Sequence, residues 1–99
     1  LTGEITVSAS SDLSLNLTNS TLTSTVNTDN TGGEVNIELD KNSVWNVTGT
    51  SYITVLTDAD TTYSNIKSNG YTIYYDSDSN SSLNGKTITL SGGGQLKPY

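Results

Sequence analysis

Hydrophobic residues fall on every second position in several short stretches of this chain, and short polar side chains fill the places between them. Leu13, Leu15 and Leu17 alternate with Ser14 and Asn16, and Val35, Ile37 and Leu39 alternate with Asn36 and Glu38. A period of two sends successive side chains to opposite faces of a strand, so each stretch predicts a strand with one apolar face. The spacing returns at Tyr71, Ile73 and Tyr75, and at Ile88 and Leu90, and no stretch shows a helical period. Further strands are predicted over residues 5–7, 22–26, 44–48, 52–56 and 86–90, with Trp45 and Val47 on one face and Ile66 a lone inward residue. Residues 27–33, 40–43, 49–50 and 69–70 read as turns, rich in the Gly, Asn and Asp that tolerate tight backbone geometry, and 58–64 and 76–85 as loops.

The two leading triplets begin at residues 13 and 35, 22 positions apart, and each is followed by an Asn-Ser pair, Asn19-Ser20 and Asn42-Ser43. A recurrence of this length suggests one coil of a solenoid. Short strands joined by corners could also build an antiparallel β-sandwich, but a sandwich gives no reason for strand-and-corner units to repeat in one order. The expectation is therefore an all-β parallel β-helix of about three to four coils. Leu15, Leu17, Ile37, Leu39, Val47, Ile73, Ile88 and Leu90 should point inward. At the C-terminal end Gly92-Gly93-Gly94 should turn sharply, Leu96 fold over the last coil, and Pro98 remove a donor from the edge. Leu1 to Ile5 enters the strand pattern with no cover, so the N-terminal coil should stack on preceding coils of the same precursor or on another copy of the chain.

Composition narrows the class. Only 31% of the 99 residues are hydrophobic and 14% are charged, which allows one domain, residues 1–99, with a thin core. There is no cysteine, hence neither a disulfide framework nor a thiolate metal site. A net charge of −6 with four lysines and no arginine would repel a phosphate backbone, so nucleic acid is excluded as a partner. No apolar run is long enough to span a bilayer. A Thr/Ser/Asn-rich, acidic, cysteine-free surface fits an extracellular or cell-surface setting, and the chain reads as the C-terminal piece of a larger secreted protein.

The run from Leu39 to Gly49, then Ser51-Tyr52-Ile53-Thr54, Tyr63-Ser64-Asn65-Ile66 and Asn69 to Tyr75, resembles the terminal coils of secreted right-handed parallel β-helix proteins of the pectate-lyase-like superfamily. Similar patterns occur in microbial surface adhesins and extracellular carbohydrate-binding β-helices. The resemblance covers roughly Leu13 to Leu96 and its motifs are structural. The enzymes of that superfamily use an Arg or Lys base beside an acidic calcium cluster, or several Asp and a His, and this chain has no Arg and no His. The resemblance thus implies a non-catalytic module for adhesion or polysaccharide binding, the alternative being a spacer or a self-assembling unit that stacks end to end.

Candidate chemistry is sparse. Asp76-Ser77-Asp78-Ser79-Asn80 alternates oxygen ligands in a way that suits calcium, with Asp76, Asp78 and Asn80 as ligands, but Ser81 and Thr87 stand where an EF-hand loop needs Gly and Glu. A solvated acidic loop is the plainer reading, and Asp58 with Asp60 is a weaker pair of the same kind. Glycoside hydrolysis needs two carboxylates across a cleft, and Glu4, Glu34 and Glu38 show no such pairing in sequence. Tyr74 should point outward and, with Tyr52 and Tyr63, offers aromatic faces to a sugar. Asn16, Asn19, Asn46 and Asn80 lie in glycosylation sequons at the frequency expected of a chain with eleven Asn. The Thr-x-Thr arrays at Thr21-Thr23-Thr25 and Thr87-Thr89 suggest an ice-binding lattice, which Asn36, Glu38 and Asn46 interrupt.

Overall fold

The structure, a computed structural model, describes residues 11–27, 30, 33–60, 62–80, 83 and 85–99. The alternating stretches form ten short strands: β1 (Leu13–Leu17), β2 (Thr21–Ser24), β3 (Val35–Leu39), β4 (Val44–Val47), β5 (Ser51–Ile53), β6 (Val55–Asp58), β7 (Ile66–Lys67), β8 (Thr72–Tyr75), β9 (Ile88–Thr89) and β10 (Gln95–Pro98). They assemble into three sheets, ordered β1-β3-β6, β2-β4-β7 and β5-β8-β10-β9. Every pairing but β9 with β10 is parallel, which rules out the antiparallel sandwich. From β1 to β8 consecutive strands lie on different sheets and stack on strands about one coil away, while β9 and β10 join β8 in the third sheet. The chain is a parallel β-solenoid of about four turns.

Inward columns explain the stacking. Leu15, Ile37 and Leu56 stand in register on the first sheet, and Leu22, Trp45 and Ile66 on the second. On the third, Ser51, Ile73 and Leu96 form one column and Ile53, Tyr75 and Pro98 another. Trp45 is wholly buried, and its indole N–H, which would be costly to leave unpaired, donates to the Ser24 carbonyl at 3.0 Å. Leu17, Ile37, Leu39, Val47, Ile73 and Leu90 belong to the buried core as expected, while Leu15 and Ile88 pack against it only partly buried.

Several expectations need correction. Residues 52–56 do not form one strand. The chain bends at Thr54, whose N–H donates to the Val35 carbonyl at 2.7 Å and whose hydroxyl accepts from the Val35 N–H at 2.9 Å, so Thr54 turns a corner between sheets. Tyr71 is 43% exposed and lies before β8, because Asn69 (φ 53°) and Gly70 (φ 84°) make a tight turn closed by the Tyr71 N–H on the Ser68 carbonyl. Leu96 does not fold over the last coil but sits within β10, a further rung paired with β8. Residues 86–90 supply only the two-residue β9, antiparallel to β10. The Pro98 expectation agrees with the geometry: Tyr99 N–H donates to the Tyr75 carbonyl, so strand alternation turns the nitrogen of Pro98 away from β8 toward the open edge. The strand expected over residues 5–7, and the stacking of the N-terminal coil, lie outside the described residues.

Candidate functional site

The outer face of β1-β3-β6 carries a cleft of about 340 Å³. Two outward columns line it: Ser14, Asn36 and Val55 in one, Asn16, Glu38 and Thr57 in the other, one residue from each of three rungs. Leu15 and Ile37 lie between the columns along their strands and complete the lining. Among the described residues of the lining, hydroxyl and amide groups that both donate and accept surround one carboxylate, Glu38, and no lysine is present. The sequence shows these residues as the polar half of two alternating stretches; what it does not show is that the strands bearing them curve into a cleft.

The structure brings Tyr52 and Tyr74 together on the outer face of β5 and β8, where they are in register. Their rings stack with centroids 4.9 Å apart and planes 14° from parallel, and Tyr99 meets Tyr52 edge-on at 5.9 Å. Burial, with the Asp76 charge adding to it, raises the pKa of the Tyr99 phenol. Lys97 follows Tyr74 in the same outward column. Stacking gives one face of each of these two rings to the other. Tyr63 is apart from them. It sits at φ 57° in the loop after β6, packs against the core, and has its phenol pKa raised by burial, then by Asp58 and Tyr75. Tyr99 is the member of the aromatic group that the alternation did not reveal, because it follows the last strand.

Of the three side chains expected to hold calcium, those of Asp76 and Asn80 take part in hydrogen bonds of the fold. Asp76 caps a 3₁₀ turn over Ser77–Ser79, its Oδ1 accepting from the Asp78 N–H at 3.0 Å and its Oδ2 from the Ser79 hydroxyl at 3.1 Å. Asp78 is exposed. Asn80 is buried and its oxygen is spent: Oδ1 accepts from the Leu56 N–H at 3.0 Å, while Nδ2 donates to the carbonyls of Thr54 at 2.6 Å and Asp76 at 2.7 Å. Among the described residues no group of three or more His, Cys, Asp or Glu side chains is placed to hold a metal. The same bonds remove Asn80 from reach as a glycosylation site in the folded chain. Asn16 and Asn19 are exposed, and Asn46 is half-buried with Nδ2 3.5 Å from the Thr23 hydroxyl.

The other acidic pair divides. Asp60 accepts from the Ser64 hydroxyl, the Thr62 hydroxyl at 2.6 Å and the Thr62 N–H at 3.0 Å, and these bonds, led by Ser64, lower its pKa to about 2. Asp58 is half-buried, and burial pushes its pKa up. Asp40 at the corner after β3 accepts from Ser43, Asn42 and Asn19, and the Ser43 hydroxyl foremost lowers its pKa. This explains the recurring Asn-Ser pairs: the Ser43 hydroxyl of one coil receives the Ser20 N–H of the coil before, so the corners stack as the strands do. The Thr-rich face is likewise tied within itself, Thr25 and Thr48 sharing a hydrogen bond of 2.8 Å.

The fold places the chain in the class of parallel β-solenoids. It matches no family model, no curated protein and no solved structure.

Proposed function

We propose that this chain is a non-catalytic binding module of an extracellular or cell-surface protein, and that it holds a polysaccharide strand across the outer face of β1-β3-β6. The observation that carries this reading is the cleft there, lined on three successive rungs by Ser14, Asn16, Asn36, Glu38 and Thr57. Such side chains exchange hydrogen bonds with sugar hydroxyls in either direction, and Val55 offers a small apolar contact. Glu38, the absence of a lysine from the lining and the net charge of −6 favour an uncharged polymer over a polyanion. The resemblance to pectate-lyase-like and adhesin β-helices rests on sequence motifs and agrees with this reading.

Glycan-array and polysaccharide pull-down binding test it. Glu38→Ala and Thr57→Ala alter exposed side chains, so both variants should keep the melting temperature while losing binding at least tenfold. Full binding by the double variant would refute the cleft as the site, and Tyr74→Ala tests the aromatic face separately. A second reading, a spacer or self-assembling unit, is favoured by the many polar side chains that bond from coil to coil. Absence of glycan binding together with end-to-end multimers in light scattering would select it.

A further inference from the structure

Among the described residues three buried polar side-chain atoms lack a hydrogen-bond partner, and two of them, Oδ2 of Asp58 and Oδ1 of Asn65, belong to side chains that touch each other. Asp58 stands in the inward column Leu17, Leu39, Asp58, so a carboxyl occupies the place that leucine fills on the two preceding rungs. Its Oδ1 accepts from Asn65 Nδ2 at 3.0 Å and from the Asp60 N–H at 3.0 Å. Asn65 is 7% exposed and its amide cannot be turned over: Nδ2 also faces the carbonyls of Ser43 at 2.9 Å and Asp40 at 3.2 Å, and an oxygen in its place would meet three acceptors. Two planar groups already joined by one N–H···O bond, each with an acceptor lacking a donor, are one hydrogen short of a cyclic carboxyl–carboxamide pair.

We propose that Asp58 carries that hydrogen: in the folded chain its carboxyl is protonated and donates from Oδ2 to Asn65 Oδ1, a latch that holds together the two ends of the loop between β6 and β7. As the pH rises the proton passes to water, a carboxylate is left facing the Asn65 oxygen, and the latch opens. The surroundings favour the acid form. Burial, and after it the Asp60 carboxylate on the same loop, raise the pKa of Asp58 against the opposing bonds from Asn65 and the Asp60 N–H, and no cation is among the groups that act on it. The Tyr63 phenol of that loop feels the Asp58 charge, with Tyr75 of β8 acting on Tyr63 in turn. From the 40–43 corner, Asp40 directs its carboxylate to Asn19, Asn42 and Ser43. A folded-state pKa above the unfolded value contributes stability that is complete below the unfolded pKa and is lost as the pH climbs through the folded one.

Carbon-detected NMR titration of the Asp58 carboxyl in the whole chain, with amide exchange protection of residues 62–66 at each pH, tests the latch. Asp58 should titrate above the other aspartates, and loop protection should fall across the same midpoint by as much as about tenfold per pH unit. Asp58→Asn supplies a permanent N–H donor in the same shape, so its loop protection should be high and independent of pH. Asp58→Leu restores the leucine column without the pair, and its loop should be unprotected at every pH. An Asp58 midpoint at or below the ordinary aspartate value of about 3.9, or loop protection that stays constant through the midpoint, would overturn the proposal. If Asp58→Asn does not fold, the titration of the native chain decides alone.

Discussion

Asn80 acts at the edge of β6 as a backbone peptide group would. Among the described residues the first sheet ends at β6, and beside that edge the chain runs through the 3₁₀ turn after β8. The Asn80 carboxamide meets that edge as a backbone peptide would, accepting from the Leu56 N–H and donating to the Thr54 carbonyl. Asn80→Ala deletes both bonds and the one to Asp76, leaving a buried N–H and a half-buried carbonyl unpaired. Stranded backbone groups of this kind cost ~1–3 kcal/mol each, so the loss should be about 3 kcal/mol. In a domain of this length that is a melting temperature lower by about 12–24 °C. Asn80→Asp keeps the acceptor but sets a carboxylate against two carbonyls, and should be worse than alanine at neutral pH and partly recover in acid as an O–H donor returns. Urea and thermal unfolding followed by circular dichroism, with and without calcium, measure both. A loss below about 0.5 kcal/mol in Asn80→Ala would mean that water satisfies the edge, and calcium-dependent stability abolished by this variant would make Asn80 a ligand after all.

Ile37→Asp places a charge between Leu15 and Leu56 in the first inward column and should leave the chain unfolded at 25 °C, whereas Ile37→Val should cost only ~0.5–1.5 kcal/mol; an unchanged melting temperature in Ile37→Asp would show the register to be wrong. Gly94→Ala should detach β10 from β8, since a Cβ there would collide with the Tyr71 carbonyl oxygen and the Ser68 side chain; native-like stability in this variant would contradict the close approach. A double-mutant cycle on Tyr52 and Tyr74 should give a coupling of ~0.5–1.5 kcal/mol from the stacked rings, and additive losses would deny the stack. At the acid end, Asp60→Asn should flatten the loss of stability as the pH falls below the ordinary aspartate range toward about 2, because a lowered folded pKa contributes stability present above the unfolded value and lost through the folded one.

The strand-and-coil pattern was legible because a period of two and a recurrence near 22 residues are properties of the chain itself. Leu15 over Ile37 follows directly from them. Two elements were not legible for identifiable reasons. Tyr52 to Leu56 has unbroken strand composition, and only the bonds between Thr54 and Val35 reveal that the chain changes sheets there. β10 carries a Lys and a Pro after three glycines, a composition that argues against a strand, and it is stacking on Thr72–Tyr75 that makes it one. The candidate site divides in the same way. Asn36 and Glu38 could be placed on an outer face from alternation, but the cleft is a property of three neighbouring strands. The carboxylates and amides of the 58–65 and 76–80 segments could not be sorted at all, because whether Asn80 faces a cation or a peptide depends on the coil beneath it.

That dependence accounts for the unusual composition. A solenoid with coils of slightly unequal length leaves backbone groups unpaired wherever one coil lacks a strand that its neighbour has, and a short amide or hydroxyl can fill one such vacancy without the desolvation cost of a charge. Thr54 does this for Val35, Ser51 for the Val26 N–H, Ser43 for the Ser20 N–H, Ser68 for Gly94 and Asn80 for Leu56. Asn69 and Asn65 extend the role by donating to carbonyls one coil away, Val47 and Ser43. Most of these residues are buried or half-buried, so the polar half of the chain is not simply surface; much of it is backbone pairing carried out by side chains. Asp12 and Asp40 do the same for the Glu34 and Asn19 N–H groups at exposed corners, whereas Asp58, the carboxyl set in a leucine column, is the place where the fold and the solution pH should meet.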